Sequence, residues 1–199
     1  KKYTGTLVKN APTRFSTWIS QYDVSIRRGK FMMALQALFK AKALDPKSSE
    51  LFVRIVELKQ KQFSSSGSLT SSASVLQEVF ESERCKLLHW DNNSVDNNTT
   101  LSDFVSNVAS SIRNDKNANL ALRIAVAKAM VSCGIGTKAD AISIITVDKL
   151  QICGVTLEAC KDALSYLKEL GGDVDNTMEA SQEWEDLIAQ YFPMANWDK

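Results

Sequence analysis

Turn-forming residues are scarce, with only eight Gly and three Pro in 199 residues against average usage of about 7% and about 5%. So few turns argue against a many-stranded sandwich or barrel and leave helices as the default. Long apolar runs are also missing. No stretch approaches the roughly 18 residues that a membrane span requires, so no membrane partner is expected. Metal and disulfide signals are thin. Cys85, Cys133, Cys153 and Cys160 include no C-x-x-C pair and His89 is the sole histidine, too little for a zinc site that needs four convergent ligands. The thiols read as small buried side chains of a reducing, cytoplasmic setting, where the sequons at Asn92, Asn97 and Asn98 have no role. The chain opens Lys1-Lys2-Tyr3-Thr4, with neither an initiator Met nor an apolar signal core, and reads as a piece of a longer protein.

The composition that is present is ordinary. At 44% hydrophobic and 24% charged, the chain suits one globular domain or two small ones, with a core large enough to need no metal or disulfide. The net charge of +1 conceals an uneven distribution. Residues 1–63 carry 13 Lys/Arg against 4 Asp/Glu, and residues 64–199 carry 11 against 19. Either the two parts complement each other or the basic end meets a polyanion.

Residues 1–14 show no periodicity and are expected to form a lead-in segment. From Phe15 the pattern is helical: Trp18, Tyr22 and Ile26, then Phe31, Leu35, Leu38 and Leu44, recur at three- and four-residue steps. Gly29 interrupts the run, and Pro46 pushes Asp45 out of the α region and ends the second helix. Ser48 or Ser49 can cap a third helix carrying Leu51, Phe52, Ile55, Val56 and Leu58. The organisation expected is thus a helix pair and the start of the next over 15–63, a flexible Ser-rich loop over 64–74, and a C-terminal helical region over 75–199. In that last region a helix spans Val75–Leu88, with Val75, Leu76, Val79, Phe80 and Leu87 on one side. Asn92–Thr100 is a loop, and helices follow near 101–112, 117–132, 137–149, 155–171 and 178–191. The β-branched stretch Ala141–Val147 would suit a strand, but no partner strand exists and it is assigned helix.

A 34-residue repeat frame beginning at Phe15 puts Trp18, Gly29, Phe31, Ala34, Leu38, Ala41 and Pro46 at the tetratricopeptide positions for Trp, Gly, aromatic, Ala, large apolar, Ala and Pro. Small Ala34 and Ala41 let two antiparallel helices approach, and Trp18 and Phe31 are expected to fill the gap. Gln21, Tyr22 and Ser25 depart from the usual Leu, Gly and Tyr. The fold class expected is all-α, with tetratricopeptide-like hairpins continuing into an α-solenoid or helical bundle.

The segment Tyr22–Pro46 (YDVSIRRGKFMMALQALFKAKALDP), followed by Ser49–Leu58 (SELFVRIVEL), resembles the C-terminal region of the auxiliary subunit of the eukaryotic N-terminal acetyltransferase A complex. The later order is similar in pattern: a helix like Val75–Leu88, a helix pair near Ala118–Met130, the run Thr156–Leu167, and an ending from Trp184 through Tyr191-Phe192-Pro193. The resemblance implies a tetratricopeptide scaffold, itself without catalytic residues, that wraps a separate catalytic acetyltransferase subunit, associates with the ribosome and docks a small ubiquitin-associated-type regulator. In some members an inositol polyphosphate sits between the two main subunits; its basic ligands are not assigned to residues of this chain, and no cofactor is expected here.

Catalytic signals are weak. Acetyl-CoA loops offer backbone N–H groups at a helix start, whereas Arg27-Arg28-Gly29-Lys30 and Cys133-Gly134-Ile135-Gly136-Thr137-Lys138 follow helices. The second lacks the spacing of a phosphate loop and reads as a helix end and turn. His89 has no nucleophile in an activating context, and Glu183, Glu185 and Asp186 read as a solvated helix face. Two interaction surfaces are candidates instead. Arg27, Arg28, Lys30, Lys40, Lys42 and Lys47, with Arg54, Lys59 and Lys61 near them, could contact rRNA phosphates. Trp184, Leu187, Ile188, Tyr191 and Phe192 lie at helical spacing, either packed inward as a capping helix or presented to a partner. The alternative is a generic tetratricopeptide interaction module such as a co-chaperone; its clamp for peptide carboxylates is disfavoured, because Ile19 and Asp23 stand where that clamp takes Lys and Asn, while other peptide modes stay open. An unrecognised enzyme lacks a visible nucleophile–base pair.

Overall fold

A computed structural model describes residues 2–60, 71–88, 99–115, 117–146, 155–170 and 175–194. The protein is all-α: ten helices and no strand occur among the described residues. They are α1 (Lys2–Asn10), α2 (Phe15–Arg27), α3 (Phe31–Leu44), α4 (Ser49–Gln60), α5 (Ser71–Leu87), α6 (Leu101–Asn114), α7 (Leu120–Cys133), α8 (Lys138–Thr146), α9 (Leu157–Leu170) and α10 (Asp175–Tyr191). The chain divides into two compact units, Lys1–Phe104 and Val105–Lys199.

In the first unit α2 and α3 form a closely packed hairpin, with α1 against α2 and with α4 and α5 against α3. The lead-in is therefore not featureless: α1 is a helix that gains its stability by lying on α2, a tertiary contact that no local periodicity announces. Ile19, Tyr22, Ala34, Leu35, Ala37, Leu38, Ala41, Leu51, Phe52 and Ile55 make the core. The Phe52 ring stacks on Phe104 with centroids 5.6 Å apart. Ser71–Ser74, expected in the Ser-rich loop, belong to α5, while the rest of that loop lies outside the described residues. Phe80 and Leu87 are buried as expected, but Val79 faces solvent.

The second unit is built around α7. Leu120, Ile124 and Ala127 of that helix join Ala141 and Ile145 of α8, Cys160, Ala163, Tyr166 and Leu167 of α9, and Trp184 and Ile188 of α10 in one core. Helix α8 contains Ala141–Thr146, the β-branched stretch; burial of Ile144 and Ile145 on an apolar face outweighs their modest strand preference.

Helix ends are closed by local chemistry. Gly29 (φ 65°) and Gly134 (φ 66°) adopt the left-handed conformation. In both cases the following residue donates back over a full turn, Lys30 N–H to the Ser25 carbonyl at 2.9 Å and Ile135 N–H to the Met130 carbonyl at 2.8 Å, a Schellman closure. Thr100 and Asp103 cap α6 reciprocally, the Asp103 N–H donating to Thr100 Oγ1 (3.1 Å) and the Thr100 N–H to Asp103 Oδ2 (3.0 Å). Thr137 and Asp140 repeat this box at α8 (3.2 and 2.8 Å).

Candidate functional site

The repeat residues occupy two different environments. Ala34, Leu38 and Ala41 are fully buried on one face of α3, as close approach of two helices requires. Trp18 and Phe31 are each only half-buried. Trp18 is half-buried and donates its indole N–H to the Pro12 carbonyl at 2.7 Å, tying α2 to the segment before it. Phe31 is also half-buried and meets Phe80 of α5 edge-on, with centroids 6.4 Å apart. Tyr22, one of the positions that departs from the repeat pattern, lies deeper than either. It is buried, and its hydroxyl donates to the Arg54 carbonyl of α4 at 3.2 Å. Burial, with Glu57 nearby, pushes the Tyr22 phenol well above its ordinary value. Asp23 beside it receives Arg54 through Nε at 3.0 Å; this carboxylate is the one expected to repel a peptide terminus. Gly29 ends α2 and Pro46 is exposed beyond α3.

The basic set is divided as well. Arg27, Arg28, Lys30, Lys40 and Lys47 are exposed. Lys42 does not belong with them: it is half-buried, donates from Nζ to the Leu87 carbonyl at the end of α5 (3.3 Å), and burial lowers its affinity for a proton. Lys59 approaches the Cys85 sulfur at 3.7 Å, and Lys61 lies outside the described residues.

At the other end of the chain, Trp184 and Ile188 are core residues. The Trp184 indole N–H donates to the Cys160 carbonyl at 3.3 Å, and burial pushes the Cys160 thiol up. Leu187 and Phe192 are half-buried against the same core. Of the five residues, only Tyr191 is exposed, next to the nearly bare Met194. Of the two arrangements open to these residues, Trp184 and Ile188 take the inward-packed one, and α10 uses its apolar face to close the second unit.

Cys133-Gly134-Ile135-Gly136-Thr137-Lys138 is the Schellman end of α7 running into the Thr137–Asp140 box, with the backbone N–H of Thr137 spent on Asp140. Cys85 and Cys133 are half-buried and Cys160 is buried; Cys153 and His89 lie outside the described residues. Among the described residues, no three His, Cys, Asp or Glu side chains converge as metal ligands, and no helix is long and apolar enough to cross a membrane.

Arg123 was not among the residues that sequence reasoning singled out. It is fully buried in α7 and directs its guanidinium to three backbone carbonyls, Asp115 at 2.9 Å, Ile144 at 3.3 Å and Ala118 at 3.4 Å. Two of these close the ends of α6 and α8, where helix carbonyls lack intrahelical donors. No protein-family model and no curated protein matches the chain.

Proposed function

We propose that the chain is a non-catalytic helical scaffold, the C-terminal part of an auxiliary subunit of an N-terminal acetyltransferase A-type complex working in the cytoplasm. The observation that carries this reading is the segment Tyr22–Leu58, whose residues resemble that family. The α2–α3 hairpin, with Ala34 and Ala41 at its buried seam, supports reading it as a tetratricopeptide-like unit. In this role the chain positions a separate catalytic subunit that transfers acetyl from acetyl-CoA to nascent N-termini. It also docks a small ubiquitin-associated-type regulator and meets ribosomal RNA through Arg27, Arg28, Lys30, Lys40 and Lys47.

Separate pull-downs with the catalytic subunit and the regulator test the reading: retention of either bait supports it, and retention of neither by a folded helical chain defeats it. The RNA contact has its own signature. Affinity should fall steeply with salt, and replacing the five cations with Gln should flatten that slope, because each neutralised phosphate releases counterions. Binding indifferent to salt would remove the rRNA contact from the proposal.

A further inference from the structure

Helix α3 is apolar on nearly every side, FMMALQALFKAKAL, a composition suited to a helix covered all round. One face is nevertheless open. Met32, Met33, Gln36, Lys40, Ala43 and Leu44 are all exposed, and at about 100° per residue they fall within an arc of about 120°. The buried Ala34, Leu35, Ala37, Leu38 and Ala41 take the opposite side. Met32, Met33 and Leu44 are 37%, 44% and 43% exposed, the two Met at the N-terminal end of the face and Leu44 at its C-terminal end. The charge carried on this face is positive. Lys40 sits within it, exposed Arg27, Arg28 and Lys30 border its N-terminal end, and Lys47 lies beyond its C-terminal end. The acid at this border is Asp45, at the C-cap.

We propose that this face of α3 docks an acidic amphipathic helix of a partner protein. The partner's apolar stripe would cover Met32, Met33 and Leu44, while its flanking Glu or Asp residues meet Lys40 and the basic cluster at Arg27–Lys30. Methionine side chains conform to varied apolar partners, helix-in-groove recognition reads apolar anchors along one helix face, and the cations in and beside the face supply charge complementarity to an acidic partner. This inference does not rest on the acetyltransferase reading.

A fluorescein-labelled peptide of about five helical turns, with Leu at i, i+3, i+4 and i+7 and Glu on both flanks, is titrated against the 199-residue chain, alongside a peptide with Lys in place of Glu. The Glu peptide should bind, more weakly as salt rises, and Met33→Glu and Lys40→Glu should each weaken it at least about tenfold. Both substitutions are at exposed positions and should leave the helical spectrum and melting temperature unchanged. The proposal is overturned by absence of binding, by equal binding of the Lys peptide, or by affinity insensitive to both substitutions. It is equally overturned if phosphatidylserine vesicles or single-stranded RNA bind this face with the same dependence on Met33, or if sedimentation reveals a dimer that Met33→Glu dissociates.

Discussion

Arg123 is a fully buried side chain that gathers three backbone carbonyls. Its fork fits two carbonyls of the α6–α7 turn and one of α8, and a lysine ammonium cannot reproduce that planar arrangement. Arg123→Met should therefore cost roughly 3 kcal/mol, the order expected when buried acceptors lose charged donors, and Arg123→Lys should recover less than half of it in urea unfolding. A melting point unchanged by Arg123→Met would show that the carbonyls are satisfied without it. Nothing in the sequence announced this role. Within LALRIAVAKAM an Arg looks like a polar break in an apolar helix, because two of its acceptors come from segments eight and twenty-one residues away. Tyr166 shows the same dependence on tertiary partners. It donates to the Ala127 carbonyl at 3.3 Å, and burial, with Glu169 nearby, raises its phenol to about 12. The neutral phenol is the form that the fold favours. Its contribution is therefore complete below the unfolded value near 10 and is lost as pH rises towards 12. Alkaline melts should show the protein weakening across that window, and Tyr166→Phe should reduce the weakening.

At the scale of elements, helix ends were more legible than helix faces. Gly29 and Gly134 stood out as breaks, and both are left-handed closures. Gly29 has open space where a Cβ would sit, so Gly29→Ala should cost only the backbone penalty, about 1 kcal/mol. Gly136 (φ 69°) would bring a Cβ to 3.0 Å from Asp140 Oδ2, adding disturbance of the α8 cap to the same penalty. Gly136→Ala should therefore lower the midpoint of thermal unfolding further than Gly29→Ala, and the reverse order would show that the cap yields without cost. The capping acids set an acid limit. Hydrogen bonds from Thr100 hold the Asp103 carboxyl below its ordinary range, and those from Thr137 do the same for Asp140. Both contributions are complete above the unfolded carboxylate value near 4 and are lost as pH falls through the lower folded values. Thr137→Ala should cost about 1 kcal/mol at neutral pH and less in acid, as read by urea titration at the two pH values. The box at α6 depends on the three-residue spacing of Thr100 and Asp103.

For the whole molecule, the all-α class followed from scarce turn residues and helical periodicity, both local properties. The division after Phe104 left no such mark, because it falls inside α6, where no Pro, Gly or change of periodicity occurs. The candidate surfaces were legible only in part. Charge reads directly, so Arg27, Arg28, Lys30 and Lys40 were found. Exposure does not, and Lys42, Trp184 and Ile188 were sorted only by their neighbours. In the opposite direction, Leu44 counted towards the helical periodicity, yet its exposure places it with Met32 and Met33 on the open side of α3.

The burial of Trp184 has an optical consequence. An indole held in an apolar core emits at shorter wavelength than one in water, and Trp184 is the tryptophan on α10, bonded to the carbonyl of Cys160. With Trp18, Trp90 and Trp197 replaced by Phe, the remaining fluorescence would report on a single event, the departure of the last helix from α9. Its red shift could then be timed against the loss of helical signal from the whole chain.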